Sequence, residues 1–231
     1  MRGDVRIVED PAGEAVDWLV RAAGGHIALS GGSTPRAAYQ RAAEMDADWS
    51  ATTFWFGDDR CVPHDHEHSN QRMFREAFLD HLEGDPPDVH PIVGEKGPHA
   101  GADDYERELR GAFGEQVPRL DLAVMGLGPD AHTASLFPGQ DSLNERSRLA
   151  VGVERAGMEP YVPRVTLTLP VFNAARAIVW LVTGKDKAEA AARAFAEPPT
   201  ADAPASLVEP SDGTMTILLD REAGARLRAG A

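Results

Sequence analysis

In "HIALSGGSTPRAAY", His26 to Tyr39, a short apolar run gives way to two glycines, then to a serine, a threonine and a proline. The run has the length and composition of a buried strand, and the glycines mark a tight turn. Thr34 followed by Pro35 reads as an N-cap and a first helical residue. A strand that enters a helix through so short a turn is the repeating unit of an α/β sheet.

The same alternation continues outward. "TFWF" (53–56), "DLAVM" (121–125), "AIVWLV" (177–182) and "TMTILL" (214–219) read as further buried strands beside "HIALS" (26–30). Between them, "QRMFREAFLDHL" aligns Phe74, Phe78 and Leu82 at helical spacing. "DDYERELRGAF" does so with Tyr105, Leu109, Ala112 and Phe113, and "KAEAAARAF" with Ala188, Ala191, Ala192 and Phe195. An open, mostly parallel, Rossmann-like sheet with helices on both faces is predicted. "RVTLTL" (164–169) departs from this, alternating Val165, Leu167 and Leu169 with Arg164, Thr166 and Thr168. It reads as a strand with a wetter face, at an edge or in a small mixed subsheet.

The 231 residues, 42% hydrophobic and 26% charged, suit a single domain over 1–231 with a substantial core. A formal charge of −14 opposes non-specific binding to nucleic acid or to an anionic membrane. Cys61 is the one cysteine, so an intrachain disulfide is excluded, and "MRGDVRIVED" lacks the apolar core of a signal peptide. The longest purely apolar run, "AIVWLV", is too short to span a bilayer. A cytoplasmic protein is expected, its oligomeric state left open, a monomer included.

In open α/β sheets ligands bind beyond the carboxyl ends of the strands. "SGGSTP", "GDDR", "GLGPDAH" and "TGKDK" follow four of the predicted strands, so the fold would gather them on one rim. Gly31, Gly32, Ser33 and Thr34 read equally as an anion site at a helix N-terminus and as an ordinary capped turn. No P-loop and no G-x-S-x-G elbow occurs, so Ser33 is a hydrogen-bond donor rather than a nucleophile. Arg60 could grip an anion with two parallel bonds, although "DDR" alone reads as a surface ion pair. "HDHEH" (64–68) is read as a solvated loop, with no metal site and no cofactor expected. "GLGPDAH" places Gly126, Gly128 and Ala131 at dinucleotide spacing, but Pro129 and Pro138 break the helix such a site needs. His132, with Asp130 two residues before it, stands where a general base would serve. Lys185 and Lys187 open a helix whose dipole disfavours cations unless an anion binds there.

Taken in order, "LSGGSTPRAAY", "FGDDRCVPHDHEHSN", "MGLGPDAHTASLFPG", "RVTLTLP" and "VTGKDKAEA" resemble the 6-phosphogluconolactonases across nearly the whole chain. "HTASLFPG" is the most specific part. Glucosamine-6-phosphate deaminase is similar through the glycine turn and the Asp-x-His segment. It carries Asn-Glu-Pro where this chain has Ser135 to Gly139, so its acidic residue is missing here. Two positions depart from the lactonase pattern: Ala131 stands for a usual glycine and Asp59 for a usual glutamate.

The resemblance implies hydrolysis of 6-phospho-D-glucono-1,5-lactone in the pentose phosphate pathway, a small sugar phosphate being the partner. In this reading His132 is the base, Asp130 its orienter, and N–H groups near Gly126 and Gly128 stabilise the oxyanion. The Gly31–Thr34 turn, Arg60, Lys187 and Arg164 would hold the phosphate. The rival readings are an amino-sugar-phosphate deaminase and a sugar-phosphate sensor without chemistry.

Overall fold

A run such as Ala177–Val182 has no polar alternation, and only a sheet covered on both faces can bury it. The computed structural model, which describes residues 3–227, places it in such a sheet. Its strands are β1 (Asp4–Ile7), β2 (His26–Leu29), β3 (Thr53–Phe56), β5 (Asp88–His90), β6 (Leu122–Gly126), β9 (Ala177–Val182) and β10 (Thr214–Leu219). Among the described residues they run in the order β1-β10-β9-β6-β2-β3-β5, every pairing parallel. The helices are α1 (Pro11–Arg21), α2 (Ser33–Ala43), α3 (Asn70–Ala77), α4 (Pro98–Phe113), α5 (Leu169–Ala174) and α6 (Ala188–Phe195).

From β2 the chain moves one way to β3 and β5, then returns past β2 to β6 and moves the other way through β9 to β10. Right-handed crossovers made in opposite directions put their helices on opposite faces. The crevice between β2 and β6 is therefore a switch point, where loops leave adjacent strands toward opposite faces.

A second sheet is antiparallel: β4 (Asp58–Arg60), β8 (Arg164–Leu167) and β7 (Ala150–Val153), in the order β4-β8-β7. The expected strand 164–169 is shorter, ending at Leu167, and Pro170 helps turn the chain into α5. It is also the middle strand and has no wetter face, since Arg164, Thr166 and Thr168 are all buried. The two threonine hydroxyls find protein partners: that of Thr166 donates to the Leu167 carbonyl at 3.0 Å and accepts the Ser135 N–H at 3.3 Å. The Thr168 hydroxyl donates to the Arg148 carbonyl at 2.8 Å.

Two fully buried tyrosines fasten the carboxyl ends of β2 and β3. The Tyr39 hydroxyl, on α2, accepts the Ser30 N–H at 2.9 Å and donates to the Ser30 carbonyl at 3.0 Å. Tyr105, on α4, does the same to Phe56 at 2.7 and 3.0 Å. Each hydroxyl replaces a ladder partner that the chain loses as it leaves its sheet. Tyr39→Phe removes one hydroxyl and leaves two backbone groups without it, at a cost of about 1–3 kcal/mol. A fall in Tm of roughly 2–12 °C is expected by calorimetry for a chain of this size.

Candidate active site

The first turn of α2 differs from its sequence reading in a way that favours a ligand. The N-cap is Gly32, with φ at +110°, so the helix starts at Ser33, and Thr34 and Pro35 are its second and third residues. Thr34 does not cap, because its hydroxyl bonds that of Thr183 at 2.7 Å, tying the loop after β2 to the loop after β9. No side chain caps the helix, which leaves its positive end to the crevice. Gly31 is a forced glycine: a Cβ there would meet the Asn70 Oδ1 at 2.2 Å.

β4 follows β3 and supplies Asp58 and Arg60. Asp58 is buried, and its carboxylate accepts the Ser135 hydroxyl at 2.6 Å. The Asn70 amide donates to the Asp58 carbonyl at 2.9 Å. Arg60 is no surface ion pair: its Nη1 donates to the His68 carbonyl at 2.7 Å, and its Nε is buried without a partner. Asp59 turns away from the cavity and accepts the N–H groups of Asn70 at 2.7 Å, Gln71 at 3.1 Å and Arg60 at 2.7 Å. Burial pushes its carboxyl up to about 6 despite those bonds. A group that binds its proton more tightly when folded destabilises the fold as pH rises from its ordinary 3.8 to about 6. Asp59 thus anchors α3 to β4. In the "HDHEH" loop, the His66 ring accepts the His68 N–H at 3.1 Å. Among the described residues no three His, Cys, Asp or Glu side chains gather as a metal would need.

His132 lies in the turn after β6, nearly buried, its ring 4.6 Å from that of Phe137. Its Nδ1 is 2.5 Å from Asp130 Oδ1, which also accepts the His132 N–H at 3.1 Å. Burial raises the Asp130 carboxyl, but the bonds from His132 outweigh it and hold the group below its ordinary range. Its stabilising contribution is present above about pH 4 and lost as pH falls through the folded value. With Nδ1–H directed at Asp130, Nε2 keeps a lone pair, the form a general base needs. The turn closes on itself: Gly128 N–H donates to the His132 carbonyl at 2.9 Å. That removes the Gly128 N–H from the expected oxyanion donors. Gly128 matters for another reason, since a Cβ there would lie 2.0 Å from the His132 Nδ1.

These segments surround a cavity of about 330 Å³ at the β2–β6 crevice. Gly31, Gly32, Ser33, Thr34, Arg60, Gly126, Gly128, His132, Arg164 and Lys187 all line it, whereas Asp130 stands behind His132. Sequence reasoning gave no role to Asp58, Asn70 or Thr183, which also line it, nor to Ser135, which holds Asp58. Asn70 closes the quoted "GDDRCVPHDHEHSN", so a signal for it was present.

A sequence model of glucosamine-6-phosphate isomerases/6-phosphogluconolactonase matches residues 7–217. The chain belongs to this family. It is 40% identical to a 6-phosphogluconolactonase of Synechocystis over 211 residues, 88% of this chain and 85% of that one. It is 40% identical to a human 6-phosphogluconolactonase over 176 residues, 76% of this chain and 67% of that one. The solved 6-phosphogluconolactonase from Trypanosoma cruzi superposes with a TM-score of 0.86 at 30% identity, covering 99% of this chain and 98% of that one. A monomeric glucosamine-6-phosphate deaminase, at 18% identity and a TM-score of 0.81, shares the fold.

Ala131, where the resemblance leads one to expect a glycine, has a glycine-like backbone. Its φ is +68°, the left-handed region where an alanine costs roughly 1–2 kcal/mol. Against this, its methyl is wholly buried, worth about 0.8 kcal/mol. A glycine would also lose about 0.5–1 kcal/mol of backbone entropy on folding. The opposing effects nearly cancel. Ala131→Gly is therefore expected to move Tm by less than about 3 °C and leave kcat intact.

Proposed function

We propose that the protein hydrolyses 6-phospho-D-glucono-1,5-lactone to 6-phosphogluconate, a step of the oxidative pentose phosphate pathway, in the cytoplasm and as one 1–231 domain. The observation that carries this is a histidine oriented by Asp130 on the same cavity as an uncapped helix N-terminus, Lys187 and two arginines. The deaminase reading lacks its acid: Ser135 to Gly139 contain no carboxylate, and Leu136 and Phe137 are fully buried.

In the reaction, a water oxygen bonds to C1 while its proton passes to His132 Nε2 and the C=O π pair moves onto the carbonyl oxygen. When that pair returns, the bond from C1 to the ring oxygen breaks, and the ring oxygen takes the proton from His132. Asp130 fixes the tautomer throughout. The phosphate does not react, so the Gly31–Thr34 turn, Lys187 and Arg60 contribute orientation. The scheme uses side chains of this protein alone, and activity is expected to survive exhaustive chelation.

The test is proton release from freshly generated 6-phosphogluconolactone against its spontaneous hydrolysis. Acceleration supports the reading. Ammonia release from glucosamine 6-phosphate would replace it with deamination, and tight 6-phosphogluconate binding without turnover would replace it with a sensor.

A further inference from the structure

With the Gly128 N–H spent on His132, the developing oxyanion needs another donor. Arg164 is 2% exposed and lines the cavity. Its Nη2 donates to the Pro160 carbonyl at 3.2 Å, and its Nη1 comes no closer than 3.9 Å to Asp58. Its Nε is buried without any partner. A guanidinium brought out of water and left this incompletely satisfied is poised for negative charge that develops beside it.

Position within the cavity indicates what that is. The phosphate cradle is one connected unit, since Thr34 and Thr183 join the α2 terminus to the loop that leads into Lys187. Arg164 belongs to the other group: its guanidinium lies 5.3 Å over the ring of Phe137, the ring against which His132 packs. Asp58, its nearest carboxylate, is held by Ser135, three residues after His132.

We infer that Arg164 is a catalytic residue that donates to the C1 oxyanion, rather than a holder of the phosphate as the sequence reading had it. This rests on the lactonase reading. Arg164 accepts no proton: its N–H groups meet the oxygen as the π pair arrives on it and release it when that pair returns to C1.

The experiment compares wild type with Arg164→Gln on 6-phosphogluconolactone and on glucono-1,5-lactone, which lacks the phosphate, with inorganic phosphate as a competing inhibitor. Loss of one such donor is expected to lower kcat by roughly 10²–10³-fold, by a similar factor on both lactones. KM for the phosphorylated lactone and the inhibition constant of phosphate should stay within about threefold, as no ground-state contact is lost. A raised KM with kcat kept, no effect on glucono-1,5-lactone and weaker phosphate inhibition would overturn the inference and return Arg164 to the phosphate. If Arg164→Gln does not fold, Arg164→Lys is read in the same way. A wild type that hydrolyses neither lactone would instead remove the lactonase reading itself.

Discussion

Replacing His132 by alanine is expected to lower kcat by about two to four powers of ten while KM changes little, the usual range for a lost general base. The imidazole is the group on this cavity whose free nitrogen is set by a carboxylate, through the contact from Nδ1 to Asp130. In the proposed mechanism it takes a proton from the attacking water and does not hold the phosphate, so its loss falls on the chemical step. Stopped-flow proton release over a range of lactone concentrations checks kcat and KM together. A fully active His132→Ala protein would rule out the histidine mechanism.

Gly128→Ala should come close to that loss without touching a chemical group. The added Cβ would sit 2.0 Å from Nδ1 and 2.1 Å from Cε1 of His132, far inside ordinary contact, so the ring must move by more than 1 Å. The bond to Asp130 and the approach to water would both be lost, and misplacement on this scale costs on the order of 10²-fold. Because the effect runs through the imidazole, Gly128→Ala/His132→Ala should be no slower than His132→Ala alone. Circular dichroism on the single variant separates this from unfolding. Multiplicative losses in the double variant would show that Gly128 acts by another route.

What could be read from the sequence follows from how much each element is buried. Ile27–Leu29, Phe54–Phe56 and Ile178–Val182 have no exposed position, so their apolar runs announced them. β1 is an edge strand with mostly exposed residues, "DVRI", and carries no such run. β4 and β5 have three residues each, too few for a period to show. α1 carries legible signals: Asp10 accepts the Gly13 N–H, Pro11 begins the helix, and Ala12, Ala15, Val16 and Leu19 form its buried face. α4 extends back to Pro98, and Ala112 lies in solvent instead of on the buried face.

At the site, residue types were legible and hydrogen-bond assignments were not. Gly126 and Gly128 mark a turn in any reading, but only the folded turn shows that the Gly128 N–H is already committed to His132. Thr34 had the chemistry of a cap, and its hydroxyl went to Thr183, 149 residues away. Asp58 and Ser135 are 77 residues apart, and no spacing rule joins them.

The strand order bears on how an active molecule comes into being. β2 lies beside β6, and the His26 N–H bonds the Asp121 carboxylate across 95 residues of chain. Closing so long a loop comes at an entropic cost before any contact rewards it, and parallel pairings of this kind form slowly. The α2 turn can take shape early, from neighbouring residues. The wall that carries His132 meets it only when β6 docks, so a refolding chain regains helix content before it regains a catalytic centre.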